Sequence, residues 1–203
     1  IEVFPKSTGF VNAFGQTETT STLTVLGPAD HRLDGPPAEV ERNLKRLTSV
    51  GLPLPDVEVR VLDEDNKELP ANEIGEVVIR TPRVMKGYAG QENATAALLD
   101  SDGWLHTRDM GYIDEDGYIY LVGRKDDIII RGGENIAPAE IEAVLHAHPA
   151  IDEAAVIGVP DIDWGQKIAA FVALRPGKTA TADELGEFCR QRLKNIKKPE
   201  LIR

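Results

Sequence analysis

The chain has one cysteine, Cys189, among 203 residues. A lone cysteine makes no internal disulfide and no multi-cysteine zinc site, and it gives no reason to invoke an oxidising compartment. Histidine is scarce too, with four residues, at positions 31, 106, 146 and 148. His146 and His148 stand two apart, so on a helix they do not share a face and show no metal spacing. No apolar run approaches the roughly 18 residues of a bilayer-spanning helix; the longest, near 154–159 and 168–174, are strand-sized. No signal peptide is read at the start, so a cytoplasmic setting is expected, with peripheral attachment to a membrane left open. Basic charge is short: 23 Lys and Arg against 34 Asp and Glu give −11. Unspecific nucleic-acid binding needs clustered cations against phosphates, so nucleic acid is not an expected partner.

What is present suits a globular chain. The hydrophobic fraction is 41% and the charged fraction 28%, enough for a real core. Residues 1–123 carry 21 acidic and 11 basic side chains, whereas residues 124–203 carry 13 and 12. That shift makes 124 a candidate boundary. The chain opens on Ile1, without Met, in what reads as mid-domain sequence, so a piece of a longer protein is expected.

Before the boundary, residues 10–14 read as a short buried strand ending at Gly15, and 27–37 as an exposed, turn-rich loop. Val40, Leu44 and Leu47 recur at i, i+4, i+7 and predict one helix face. Strands are expected at 57–62 and 76–80, and a short helix over 93–99 with Asn93 as its N-cap. Asp-Gly in DEDG (114–117) predicts a hairpin. The stretch 50–122 therefore reads as a small β-barrel or sandwich.

After it come a strand at 127–131, the pair Gly132-Gly133, and a helix opened by Pro138 with Ile141, Val144 and Leu145 as its stripe. Strands follow at 153–159 and 167–174. A capping box, Thr181 to Glu184, opens a helix with Leu185, Phe188, Cys189 and Leu193 inside. The expected fold class is mixed α+β: a β-rich, barrel-like part to residue 123, then a small α+β domain over 124–203.

Three segments can carry chemistry. In FGQTETT (14–20), a glycine between a strand and polar residues lets backbone N–H groups approach an anion. Thr17 offers a hydroxyl to a phosphate, and Glu18 a carboxylate to Mg2+, which takes one or two carboxylates plus substrate phosphates. A solvated polar turn accounts for the same residues. In DGWLHTRDMG (102–111), Asp109 can accept the hydroxyls of a ribose or simply bond its own turn. In GRKDDIIIRGGENIAPAEIE (123–142), Arg124 can share a ribose or phosphate, and Gly132-Gly133 can bare the backbone to a ligand or form a plain β-turn.

Taken with GEVVIRTP (75–82) and HPAIDEAAVIGVPD (148–161), these motifs stand in an order and spacing that resemble the adenylate-forming family across nearly the whole chain. That family includes acyl-CoA synthetases, luciferase and peptide-synthetase adenylation domains. DGWLHT and RGGENIAPAEIE are most similar to the medium- and long-chain fatty acyl-CoA synthetases. The resemblance implies an ATP-dependent acid–thiol ligase. A carboxylic acid attacks the α-phosphorus of ATP and releases pyrophosphate; the thiol of coenzyme A then expels AMP. An acyl-AMP ligase that passes the acyl group to a carrier protein is the alternative.

By the same resemblance Thr17 contacts the α-phosphate and Glu18 binds Mg2+. Phe14, Gly15 and Gln16 border the adenine and acyl sites, and Asp109 and Arg124 hold the ribose. Asp126 falls at the hinge, and Gly132 and Gly133 line the coenzyme A tunnel. A homodimer of the whole enzyme is left open. Two departures stand out. The family's glycine before the ribose-binding Asp is Arg108 here. Neither the family's Ser/Thr/Gly-rich phosphate loop nor its C-terminal catalytic Lys lies within the 203 residues, so the chain by itself is expected to be catalytically incompetent.

Overall fold

Near-continuous apolar runs make central strands, and alternating ones make half-buried strands. Both occur in the computed structural model, which describes Pro5 and residues 8–203. The chain divides into two compact units, one ending at Leu121 and the other running from Val122 to Arg203.

In the first unit, β1 (Asn12–Gly15), β2 (Thr22–Leu26) and β3 (Leu52–Pro53) form an antiparallel sheet in that order. Between β2 and β3 lies α1 (Pro37–Arg46). A four-stranded sheet follows, ordered β4 (Glu58–Leu62), β5 (Gly75–Arg80), β6 (Leu105–Ile113), β7 (Ile119–Arg124); β7 begins in this unit and its residues 122–124 belong to the second. The short α2 (Glu92–Ala96) connects β5 to β6. Val77 and Ile79 of β5 pack with Val57, Val61 and Leu23 in the core of this unit.

Two sequence expectations change here. Leu44 does not face the core; it is 51% exposed, and α1 instead buries Asn43. The Asn43 amide donates to the carbonyls of Ala29 (3.3 Å) and Arg32 (2.9 Å). Loop carbonyls that turn inward need donors, and a leucine supplies none. The second change is at α2, whose N-cap is Gln91 rather than Asn93. Asn93 lies inside the helix, whose first turn is closed by Thr95 Oγ1 donating to the Gln91 carbonyl at 3.1 Å.

The second unit is α+β in its own right. β8 (Ile129–Arg131) pairs antiparallel with β9 (Glu134–Ile136), a strand that the sequence reading did not separate. α3 (Pro138–His146) leads into β10 (Ile151–Asp161), which pairs antiparallel with β11 (Gly165–Leu174). Next come α4 (Ala182–Arg190) and β12 (Leu201–Ile202), which adds parallel to β11. The capping box forms: Thr181 Oγ1 accepts from the Glu184 N–H at 3.2 Å, and Glu184 Oε2 accepts from the Thr181 N–H at 2.8 Å. Leu193 lies just beyond α4 but still packs on the core. That core joins Ile129, Ile136, Ile141, Leu145, Ile151, Ile168, Leu185 and Cys189. Cys189 is a free, fully buried thiol whose pKa is raised by burial. It is packing, not a nucleophile. Among the described residues no helix is long and apolar enough to cross a membrane.

Leu145 is 0% exposed at the centre of that core. Leu145→Ala is expected to lower the urea unfolding free energy by about 2–5 kcal/mol, the usual cost of truncating a buried leucine. A change below about 1 kcal/mol would show that the core does not rest on this contact.

Candidate active site

Three features of the first unit build the site: a slipped strand end, a polar turn and a bulge. The β1–β2 ladder shifts register between Phe14 and Gly15. A Cβ on Gly15 would lie 2.3 Å from the Ser21 carbonyl oxygen, so only glycine fits. The chain then makes one tight turn over Thr17–Thr19. Thr19, fully buried, accepts from the Gln16 N–H (3.3 Å) and donates to the Gln16 carbonyl (2.9 Å). This leaves Thr17 exposed and Glu18 half-buried. Phe14, half-buried, packs against the apolar core of the unit.

The bulge lies in β6. Val78 of β5 faces His106, and Glu76 faces Met110, so residues 107–109 all stand opposite Val77. A bulge leaves backbone groups without ladder partners, and two side chains supply them. Thr107 Oγ1 donates to the Val77 carbonyl at 2.6 Å and accepts from the Asp109 N–H at 3.0 Å. Glu76 Oε1 accepts from the Arg108 N–H at 3.2 Å, while its other oxygen lies 3.3 Å from His106 Nδ1. Arg108 itself sits at φ +61°. A residue with a Cβ loses about 1–2 kcal/mol in that left-handed conformation. That cost comes from the backbone and is separate from any effect of the arginine's charge.

The bulge turns Asp109 inward, to 6% exposure. Its Oδ2 accepts from the Gln16 side-chain amide at 2.6 Å, and the same amide lies 3.4 Å from the Thr107 carbonyl. Two segments 93 residues apart are thus joined by a charge-assisted bond. On the other side of the turn, Tyr88 donates to Glu18 Oε1 at 2.7 Å, and the Met85 N–H donates to the Glu18 carbonyl at 2.7 Å. The carboxylate raises the pKa of the Tyr88 phenol. The structure therefore brings together Phe14, Gly15, Gln16, Thr17, Glu18 and Asp109.

Glu18 is one carboxylate beside one hydroxyl, Thr17. Among the described residues no three His, Cys, Asp or Glu side chains gather as a metal site. Such a donor set fits Mg2+ that arrives with nucleotide phosphates and keeps several waters.

The remaining candidates lie in the second unit. Arg124 and Asp126 line a cavity of about 460 Å³ with Glu142, Val156, Gly158 and Gln166. Gly132 and Gly133 turn between β8 and β9 at φ +57° and +83°. A Cβ on Gly132 would lie 2.9 Å from the Trp164 ring, whereas one on Gly133 would meet nothing within 4 Å. Of the pair, only Gly133 leaves its backbone bare.

Sequence reasoning passed over Glu76, Tyr88 and Thr107. Glu76, a charge inside a buried strand, carried a signal. Tyr88 carried none, because its partner is 70 residues away; Thr107 bonds the Asp109 N–H two residues on, but its other partner, Val77, is 30 residues away.

Comparison with known proteins identifies the family. Residues 1–89 match the AMP-binding enzyme family model, and residues 140–203 match the AMP-binding enzyme C-terminal domain model. The chain belongs to this adenylate-forming family. It is 42% identical over 189 residues to 2-succinylbenzoate–CoA ligase of Geobacillus kaustophilus, covering 93% of this chain and 36% of that protein. It is 47% identical over 153 residues to a long-chain-fatty-acid–CoA ligase of Bacillus subtilis, covering 75% and 27%. It is 40% identical to the fatty acid–[acyl-carrier-protein] ligase ScoC of Streptomyces coeruleorubidus, covering 94% and 35%. The structure of o-succinylbenzoate coenzyme A synthetase from Bacillus subtilis, in complex with ATP and magnesium ion, superposes with TM-score 0.80 at 36% identity, covering 97% of this chain and 38% of that one. The chain thus spans about a third of the length of these relatives.

Gln16→Ala removes the amide from a buried carboxylate. Hydrogen bonds to charged groups contribute about 1.5–3 kcal/mol, and a loss of that size is expected in urea unfolding. Unchanged stability would show that the 2.6 Å contact does not hold the turn to the bulge.

Proposed function

We propose that this chain forms part of an ATP-dependent ligase that activates a carboxylic acid as its acyl-adenylate and transfers it to the thiol of coenzyme A. The single observation that carries the reading is the bond from Gln16 to Asp109, which puts the Thr17–Glu18 turn and a buried ribose-type carboxylate in one unit. In the first half-reaction the acid's carboxylate oxygen attacks the α-phosphorus, and the bond to pyrophosphate breaks. Thr17 donates its hydroxyl to an α-phosphate oxygen as negative charge accumulates there, an interaction of the kind that speeds such steps most. Asp109 accepts both ribose hydroxyls, which fixes the nucleoside and hence the line of attack. Phe14, Gly15 and Gln16 border the adenine and the acyl group. Glu18 holds Mg2+, which when bound neutralises charge on the phosphate oxygens.

Under the same reading Arg124 is a further nucleotide ligand, Asp126 the pivot between half-reactions, and Gly133 the bare backbone beside which the thiol arrives. Gly132 serves that turn by accepting the Trp164 ring against it. The acid belongs to the aryl or fatty class named in the relatives. ScoC supports a second reading, in which a carrier-protein thiol takes the place of coenzyme A.

In the complete ligase carrying this sequence, Asp109→Ala is expected to lower kcat/KM for ATP by about 2 kcal/mol, roughly 30-fold, through loss of charge-assisted hydrogen bonds. ATP–pyrophosphate exchange measures it. Unchanged ATP kinetics would overturn the ribose assignment.

A further inference from the structure

Glu18 is held asymmetrically. Its Oε1 accepts from the Tyr88 hydroxyl at 2.7 Å, and among the described residues none donates to Oε2. Its backbone carbonyl takes the Met85 N–H at 2.7 Å, and two residues on Thr20 Oγ1 donates to the Arg83 carbonyl at 3.0 Å. Segment 83–88 therefore clasps the turn at three points.

Tyr88 is itself placed with care. Its backbone N–H donates to Thr95 Oγ1 at 2.9 Å, and Thr95 Oγ1 donates to the Gln91 carbonyl at 3.1 Å. Gly87 has φ +140°, and a Cβ there would lie 2.8 Å from the Thr95 side chain. A larger residue at 87 would push α2 away and carry the Tyr88 backbone with it. The chain of contacts runs from α2 through Thr95 to the Tyr88 backbone, and from the Tyr88 ring to Glu18.

We infer that Tyr88 is a positioning residue for the divalent cation: its hydroxyl fixes one oxygen of Glu18 so that the other is presented, already oriented, to Mg2+ on the nucleotide. This rests on the reading of Glu18 as the metal-binding carboxylate. A glutamate has three rotatable side-chain bonds, and a half-buried one left unanchored samples several rotamers. One donor on one oxygen removes that freedom and leaves the second oxygen's lone pairs for the cation. A phenol is suited to this because it supplies a single O–H on a rigid ring and carries no charge to compete with the metal. Groups that orient metal ligands from behind commonly change metal affinity or activity about 10–100-fold when removed.

The test is the Mg2+ dependence of acyl-adenylate formation in the complete ligase, followed by ATP–pyrophosphate exchange at saturating ATP with magnesium chloride as the titrant. Tyr88→Phe is expected to raise the half-saturating Mg2+ concentration about 10-fold, with KM for the acid unchanged. Thr95→Ala, which keeps the Tyr88 hydroxyl and removes the Thr95 Oγ1 that anchors the Tyr88 backbone, is expected to shift it in the same direction by less; it carries the test should Tyr88→Phe fold poorly. A merely structural role lowers kcat in both variants at unchanged Mg2+ dependence and overturns the proposal. Glu18→Gln run in parallel separates the two levels. If it shifts the Mg2+ dependence and Tyr88→Phe does not, only the role of Tyr88 fails. If neither shifts it, the assignment of Glu18 fails and the proposal with it.

Discussion

A buried carboxylate must be compensated by donors, and the first unit is organised around that demand at Asp109. The residue reaches its position because β6 takes three residues where β5 offers one. The excess backbone is closed by Thr107 and Glu76, and the side chain by Gln16. Gln16 is available because Gly15 lets the chain leave β1 at a point where any Cβ would strike the Ser21 carbonyl. Each of these features costs stability taken alone: a left-handed Arg108, an interrupted ladder, a carboxylate withdrawn from water. Together they compensate one another, which is how strain at functional sites persists.

The same economy places the second candidate carboxylate. The fold leaves Glu18 half-buried and anchors one carboxylate oxygen and the adjoining backbone. The two acidic residues thus receive opposite treatment within one unit. Asp109 is enclosed and hydrogen-bonded, which under the proposed function suits a group that orients a neutral sugar. Glu18 is half-open, which under the same proposal suits a group that meets a hydrated cation.

Much of this was legible in the sequence, for physical reasons. Glycine between a strand and a polar run, Asp-Gly in the 114–117 turn, Pro138 at a helix start and the Thr181–Glu184 capping box each report a local constraint, and local constraints survive into the fold. The mixed α+β class followed from the alternation of strand-sized and helix-sized patterns. The misses are of another kind. The stripe Val40, Leu44, Leu47 has helical period, and a helix forms, but the face it turns inward is chosen by the carbonyls of a loop 11 and 14 residues upstream of Asn43. The bulge at 107–109 is set by the register of a neighbouring strand, and the bond from Tyr88 to Glu18 spans 70 residues. Periodicity carries no information at that range. The motif resemblance singled out Asp109 and Glu18, and only the structure shows what holds them.

The central claim is that the turn after Gly15 and the bulge at Asp109 form one nucleotide-binding surface. A crystal structure of the complete protein carrying this sequence, with AMP, tests it most directly. The account predicts the ribose hydroxyls within hydrogen-bond distance of the Asp109 carboxylate, with the phosphate beside Thr17. AMP bound elsewhere, with the Gln16–Asp109 bond intact and the turn untouched, would contradict it.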